Sequence, residues 1–211
     1  MVFNVVIAIA AGYLLGSIPF AYITGHLKKG IDIRQVGGGN VGALNTMREI
    51  GPLPGLIVLF ADIAKGSVTV LVALWLEIPL IWIFAAGLAA VVGHNWPVFL
   101  RFKGGKGAAT TIGVLLVLVP YEAAISIAII LTIIVITSNV RLGVVVGMAL
   151  LPFGIWQFNG SGMLIAYSLA LFLFLSIRAL PSTRAAAANI NKRKNLIFDR
   201  DHNFWQTKRS K

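Results

Sequence analysis

A chain of 211 residues in which 58% are apolar, only 12% are charged and the mean hydropathy is +0.88 cannot be a water-soluble globule, because most of its surface must contact lipid. The absence of cysteine excludes disulfide bonds, thiolate metal ligands and a cysteine nucleophile. The net charge of +11 does not indicate nucleic-acid binding, since the basic residues flank apolar segments instead of covering one polar face.

The apolar runs predict an all-α, polytopic integral membrane protein with about seven transmembrane helices. The first run, from Val2 to Tyr22, has no Lys or Arg before it and is too long for the core of a signal peptide, so we interpret it as a retained helix. The stretch from Ala108 to Ser138 is longer than the roughly 20 residues that cross a bilayer, and Pro120-Tyr121-Glu122 divides it into two spans. The other predicted spans are 52–76, 79–100, 143–158 and 163–180.

The basic residues predict the orientation of these spans. With the N-terminus outside and the C-terminus in the cytoplasm, 16 of the 18 Lys and Arg residues lie in the cytoplasmic loops and tail. Of the other two, Lys65 lies inside a span and Arg178 lies near the cytoplasmic end of the last one. Were 108–138 a single tilted helix, the later sides would reverse and Arg141 would face outward. We expect one transmembrane domain, 1–180, and a basic cytoplasmic tail, 181–211, which anionic lipid headgroups attract.

A glycine-rich loop, Val36 to Arg48, is the first candidate site. It contains GxGxxG, but no strand precedes it, so a dinucleotide fold is not indicated. Consecutive glycines let backbone N–H groups converge on an anion, and a helix that begins after them would add its positive end. The alternative is a flexible turn between two spans. The candidate phosphate-binding residues in this loop are Gly37, Gly38, Gly39, Asn40, Asn45 and Arg48.

A basic loop, Arg101 to Gly107, is the second candidate. Lys103 and Lys106 flank Gly104 and Gly105 just ahead of a membrane helix, an arrangement that can surround a phosphate group. The spacing is not that of a Walker P-loop, and ordinary anchoring of the topology is the alternative for both lysines. His94 lies near the membrane end of the preceding span, where it can either contact substrate or serve the structure.

Asp62 and Lys65 lie inside the second span, three residues apart on one helix face. They can neutralise each other, which makes them tolerable in lipid, or Lys65 can serve as a phosphate partner. No catalytic triad, metal cluster or pair of acids can be assembled on the inner face, so neither a metal nor a cofactor is expected. Chemistry there would depend on positioning and on electrostatic stabilisation.

These residues resemble the bacterial membrane acyltransferases that move an acyl chain from acyl phosphate to glycerol 3-phosphate. The most specific motifs are Gly39-Asn40-Val41-Gly42-Ala43 with Asn45 and Arg48, Asp62 with Lys65-Gly66, and Gly93-His94 through Phe102-Lys103-Gly104-Gly105-Lys106-Gly107. The resemblance implies seven helices in the bacterial inner membrane, a cytoplasmic active site, and formation of lysophosphatidic acid and phosphate without an acyl-enzyme. It further implies that the departing phosphate helps to deprotonate the attacking hydroxyl.

The resemblance also assigns roles to residues. Lys106, His94 and Asn40 are the candidate catalytic residues. The candidate binding residues are those of the two loops together with Lys65 and Asn189. The glycine-rich loop would hold one phosphorylated substrate, and Lys103 to Lys106, with His94, would hold the other. The expected partners are the two substrates and membrane lipids, with no nucleic acid and no obligate protein partner.

The chain departs from the family pattern at four places. Gly38 replaces a serine, Leu44 replaces a threonine, and Val140-Arg141-Leu142 stands where the family favours a serine. Of the family's third motif, only Asn189 and Ile190 remain. The role of Arg141 stays open between phosphate partner and topology anchor. These changes leave a second hypothesis, a non-catalytic transport or lipid-binding relative that keeps the fold and the phosphate site.

Overall fold

The computed structural model describes the backbone of residues 1–188 and the side chains as far as Pro181. Asn189 and the rest of the predicted tail lie outside the described residues. Within 1–188 the regular elements are helices, in agreement with the predicted all-α class. They are α1 (Val2–Ser17), α2 (Phe20–Lys29), α3 (Ala43–Glu49), α4 (Pro52–Trp75), α5 (Leu80–Asn95), a 3-10 turn (Val98–Leu100), α6 (Ala108–Leu118), α7 (Pro120–Thr137), α8 (Val140–Phe158) and α9 (Gly162–Ala188).

Six helical segments within 1–188 are long and apolar enough to cross a membrane. They correspond to six of the predicted spans, and the seventh corresponds to α6, a shorter apolar helix of 11 residues. The predicted division at Pro120 is confirmed, because α6 ends at Leu118 and α7 begins at Pro120. The side of the membrane on which each terminus lies stays a prediction.

The first predicted span is wrong in one respect, since the helix does not continue through Pro19. A proline disfavours helical backbone in the residue before it, and Ile18 is accordingly extended, with φ −62° and ψ 116°. Helix α1 therefore ends at Ser17, and a second helix, α2, begins at Phe20. Gly30, in the left-handed conformation, follows the last residue of α2 and terminates it.

Three other helix boundaries differ from the predicted ones. Helix α5 ends at Asn95 and not at Leu100, because Pro97 follows and residues 98–100 form the 3-10 turn. Helix α8 begins three residues early, since the Asn139 side chain accepts hydrogen bonds from the backbone N–H groups of Arg141 and Leu142, both at 3.1 Å. Arg141 thus lies exposed in the first turn of a helix and not in a loop.

Helix α9 passes through Pro181, across the predicted boundary between the membrane domain and the tail.

The chain forms two compact units, Met1–Pro120 and a second that begins at Tyr121. In the first unit, helices touch backbone to backbone at glycines. A Cβ atom at Gly16 of α1 would lie 2.1 Å from the Ala90 carbonyl oxygen of α5, and one at Gly113 of α6 would lie 1.9 Å from the Ile63 carbonyl oxygen of α4. Such close approach maximises van der Waals contact between the helices, which matters because the hydrophobic effect does not drive helices together within lipid.

The second unit uses the same device on a smaller scale. The Ser126 hydroxyl of α7 donates to the Gly147 carbonyl of α8 at 2.8 Å, and a Cβ at Gly147 would lie 2.4 Å from the Ile130 side chain. A small residue and a hydroxyl thus hold these two helices together.

A small apolar cluster positions the loops of the first unit. Its buried members are Ala21, Ile33, Val41, Val58 and Leu100, which come from α2, from both candidate loop regions and from α4. Burial of these side chains fixes the two loops on the same end of the helices.

We expect Gly16→Ala to destabilise the protein by about 1–3 kcal/mol, because the added methyl group meets a backbone oxygen that cannot rotate away. The measurement is the melting temperature in detergent. Gly154→Ala is the matched control, since its Cβ would be 3.9 Å from the nearest atom. Equal melting temperatures for both variants would contradict the close α1–α5 contact.

Candidate active site

A buried group of charged and polar side chains joins three helices of the first unit. The Lys65 Nζ atom lies 2.8 Å from Asp62 Oδ1, and both side chains are nearly inaccessible, at 4% and 3% exposed. The predicted mutual neutralisation of Asp62 and Lys65 is therefore confirmed. Lys65 Nζ also donates to the carbonyl oxygen of Ile18 at 3.2 Å, at the break between α1 and α2.

His94 is the third partner of Lys65. Its Nδ1 atom lies 2.8 Å from Lys65 Nζ and 3.5 Å from Asp62 Oδ1. Nδ1 can accept a hydrogen bond from the ammonium group or, when protonated, donate one to the carboxylate, so both partners hold the same edge of the ring. The side chain is thus held in one orientation, with Nε2 directed at the basic loop.

The basic loop folds back on the end of α5. The Gly104 N–H donates to the Asn95 carbonyl at 3.2 Å, and the Gly105 N–H donates to the His94 carbonyl at 3.0 Å. A Cβ at Gly105 would lie 2.0 Å from His94 Nε2 and 2.5 Å from the Val41 carbonyl oxygen. Only glycine fits there, so the structure brings His94, the basic loop and the glycine-rich loop together at Gly105.

The glycine-rich loop is shaped by Asn45. Its Nδ2 atom donates to the carbonyls of Ile33 and Val36 at 3.1 and 3.2 Å, and its Oδ1 atom accepts from the Gly38 N–H at 3.0 Å. The side chain is buried and fully engaged inside the loop. Asn45 therefore shapes the site and does not present its amide to a ligand.

Two glycines of this loop have backbone conformations that other residues rarely adopt. Gly37 and Gly39 have φ angles of 57° and 66°, and a Cβ at Gly37 would also meet the Glu49 carboxylate at 2.4 Å. Gly38 differs, because a Cβ there would make only an ordinary contact of 3.8 Å with Asn45 Oδ1. The serine that the family has at this position would fit. Helix α3 begins at Ala43, so the predicted helix after the glycines is confirmed.

The remaining predicted site residues lie around this centre with different exposure. Asn40, Arg48 and Lys106 are half-buried, and Lys103 is exposed. Asn189 lies outside the described residues. The described part of the site thus takes its residues from α1 to α5 and from the two loops.

The sequence motifs drew no attention to the break between α1 and α2 as part of the site. It forms one wall of a small, narrow cleft whose lining also includes the buried Asp62–Lys65–His94 group. The Gly16-Ser17-Ile18-Pro19 segment carried a usable signal, since an isoleucine before a proline near the end of an apolar run predicts a break. The cleft is lined by residues 16–21, Val41, Asp62, Lys65, His94 and Pro97.

Comparison with known proteins gives consistent matches over most of the chain. A family model described as glycerol-3-phosphate acyltransferase matches residues 6–187. A glycerol-3-phosphate acyltransferase 1 of Dehalococcoides mccartyi is 41% identical over 194 residues, which cover 89% of this chain and 93% of that protein. A glycerol-3-phosphate acyltransferase of Exiguobacterium sibiricum is 58% identical over 109 residues, or 52% of each chain.

Solved structures give the same answer for the fold. The crystal structure of PlsY (YgiH), an integral membrane glycerol 3-phosphate acyltransferase, in its glycerol 3-phosphate form matches with a TM-score of 0.79 at 32% identity, over 85% of this chain and 90% of that one. Its lysophosphatidic acid form matches with a TM-score of 0.78 at 31% identity, over the same shares of the two chains.

We expect Asn45→Asp to open the glycine-rich loop, because a carboxylate cannot donate to the Ile33 and Val36 carbonyls and would face them with a negative charge. Limited trypsin digestion measures this as faster cleavage after Arg34. Asn40→Asp is the isosteric control, since Asn40 makes none of the three bonds. If both variants were cleaved at the wild-type rate, Asn45 would not be what shapes the loop.

Proposed function

Because the chain belongs to the glycerol-3-phosphate acyltransferase family, we propose that it transfers an acyl chain from acyl phosphate to glycerol 3-phosphate, giving lysophosphatidic acid and phosphate. The predicted family and the predicted all-α membrane fold are confirmed by the matches to the family model and to PlsY. What is proposed is the identity of the acyl donor, the role of each residue and the side of the membrane on which the reaction occurs.

One observation supports this proposal most directly: both candidate loops meet at Gly105, above a buried ammonium group. Gly105 is in contact with the Val41 carbonyl of the glycine-rich loop and with His94, and His94 is in contact with Lys65. Two anion-binding loops side by side suit a reaction between two phosphorylated substrates. Their separation is fixed by backbone contact, so the substrates can be held with their reacting atoms close together.

The reaction needs no protein nucleophile. The glycerol 3-phosphate hydroxyl oxygen forms an ester bond to the acyl carbon while the bond from that carbon to the phosphate oxygen breaks, and the departing phosphate accepts the hydroxyl proton. Asp62 is committed to Lys65, and the Nδ1 atom of His94 faces the same ammonium group. The protein therefore contributes positioning and electrostatic stabilisation of negative charge.

The roles of the residues follow from their placement. Gly37 to Gly39, with Asn40 and Arg48, hold one phosphorylated substrate, and Lys103 to Lys106 hold the other. Lys106 and Asn40 contact the reacting groups. His94 fixes the loop at Gly105, and Lys65 fixes His94, so these two act on substrate through the loop.

We propose that the protein lies in the bacterial inner membrane with its site facing the cytoplasm. The support is the charge asymmetry, because 16 of the 18 Lys and Arg residues fall in the loops and tail on the side that carries both candidate loops. Both substrates would then be taken from the cytoplasm, and the lipid product would stay in the membrane.

The experiment that tests the function is phosphate release by the purified protein in detergent, given an acyl phosphate with and without glycerol 3-phosphate. We expect release that depends on glycerol 3-phosphate, with lysophosphatidic acid formed. Lys106→Ala and Asn40→Ala should abolish turnover, whereas Lys28→Gln, an exposed basic residue of α2, should not. Binding of glycerol 3-phosphate without turnover would replace the proposal with the non-catalytic relative, and normal activity in both alanine variants would refute the assigned site.

A second prediction separates the structural role of the buried ion pair from its role in the site. Lys65→Met alone or Asp62→Leu alone leaves an unpaired buried charge, which should cost about 3–5 kcal/mol of stability. The double variant removes both charges and should melt close to the wild type in detergent. It should nevertheless be inactive, because His94 then loses the ammonium group that orients it. Wild-type turnover in the folded double variant would show that the ion pair serves stability alone.

A further inference from the structure

Arg34 makes a set of contacts that none of the proposed catalytic roles uses. Its Nε atom lies 3.0 and 3.1 Å from the two carboxylate oxygens of Asp32, and its Nη2 atom lies 2.6 Å from Asp32 Oδ2. The backbone N–H of Arg34 donates to the same carboxylate at 3.0 Å. A planar guanidinium held at both oxygens cannot turn, so its remaining donors point in fixed directions.

One of those donors reaches the other loop. The Nη1 atom of Arg34 donates to the carbonyl oxygen of Leu100 at 3.3 Å, 66 residues further along the chain. The guanidinium also lies over the ring of Tyr22 in α2, 5.2 Å from its centre, and that ring stacks on His26. Arg34 therefore links α2, the entrance to the glycine-rich loop and the start of the basic loop.

The backbone of Arg34 takes part as well. Its carbonyl oxygen would lie 3.1 Å from a Cβ atom on Gly39, so the glycine turn rests against this residue. Leu100, whose carbonyl receives the Nη1 bond, is itself buried in the apolar cluster and directly precedes Arg101 to Gly107. The backbone of Arg34 thus supports the glycine turn while its side chain holds the start of the basic loop.

We propose that Arg34 is a positioning residue that, with Asp32, fixes the glycine-rich loop relative to the basic loop and so sets the spacing between the two bound substrates. This rests on the proposed function, since it assumes that each loop holds one substrate. The contact between Val41 and Gly105 joins the loops on the inner side, next to His94, and the Arg34 contact joins them a second time through Leu100. One point of attachment lets the loops turn about it in any direction, whereas a second restricts them to rotation about a single axis, which the buried apolar cluster also opposes.

A role in positioning fits the exposure of the pair better than a role in stability. The side chains of Arg34 and Asp32 are 28% and 18% exposed, and partly solvated ion pairs add little to the free energy of folding. The hydrogen bond from the Arg34 side chain lowers the pKa of Asp32, so the carboxylate keeps its charge to a lower pH than a free aspartate does. The pair thus remains formed under the conditions in which the substrates bind.

The test compares Arg34→Lys with the wild type and with Lys28→Gln, which removes an exposed positive charge from nearby α2. We expect Arg34→Lys to lower kcat by at least roughly tenfold, the order of loss that small misplacements of substrate cause. The melting temperature should be unchanged, and Lys28→Gln should behave as the wild type does. Unchanged kcat in Arg34→Lys, or a loss that accompanies a fall in melting temperature, would overturn the proposal.

Asp32→Asn and the double variant Asp32→Asn with Arg34→Lys complete the test. Since the two residues act as one unit, the double variant should lose no more activity than Arg34→Lys alone. Losses that multiply would mean that the two side chains act separately, which the proposal excludes.

A measurement without substrates keeps this proposal distinct from the proposed function. The chain has no cysteine, so Gln35→Cys with Phe99→Cys, exposed positions just before the two loops and next to Arg34 and Leu100, places spin labels at these two sites only. Electron paramagnetic resonance should give a narrow distribution of distances between the labels that broadens on adding Arg34→Lys but not Lys28→Gln. Broadening in a protein without turnover would mean that the proposed function fails and the link between the loops stands; an unchanged distribution would overturn the link itself.

Discussion

The buried ammonium group of Lys65 is the constraint on which the first unit depends. A charge inside a membrane-spanning helix persists only when its donors are satisfied, and Lys65 takes its partners from three places. Asp62 comes from its own helix, the Ile18 carbonyl from the break between α1 and α2, and His94 from α5. One charge thus ties the end of α1, which Pro19 sets, to α4 and α5.

The two loops extend this constraint to the surface of the membrane. They can approach each other only because glycine replaces side chain with backbone at the points of contact, most clearly at Gly105. The same glycines that let the two loops come close also make the loop backbone flexible, since glycine has the greatest conformational freedom of all residues. Asn45 within one loop and Arg34 between the loops supply stiffness through hydrogen bonds that have a defined direction.

Features that depend on local sequence could be predicted, and features that depend on contacts across the fold could not. Apolar length and the proline at position 120 located the helices, and the three-residue spacing of Asp62 and Lys65 placed both on one face, where they pair. Asn45 was expected to donate to substrate, because nothing in its neighbourhood shows that the carbonyls of Ile33 and Val36 lie within its reach. Arg34 was counted only as one of the basic residues that set the topology. Its hydrogen bond to Leu100, 66 residues further along the chain, cannot be inferred from the spacing of charges in the sequence. The break at Ile18 can be inferred, from the proline that follows it.

The shortness of α6 has a consequence for how deep the reaction takes place. A helix of 11 residues rises about 16 Å, roughly half of the 30 Å hydrocarbon layer of a bilayer. One end of α6, either the basic loop at its start or the turn at Pro120, therefore lies inside the hydrocarbon layer, or the bilayer thins to meet it. Under the proposed function, a recessed basic loop would bring the water-soluble phosphorylated substrate down to the level at which the lipid tails begin. The new ester would then be formed with its acyl chain already beside those tails, so the product could leave by diffusion in the plane of the bilayer.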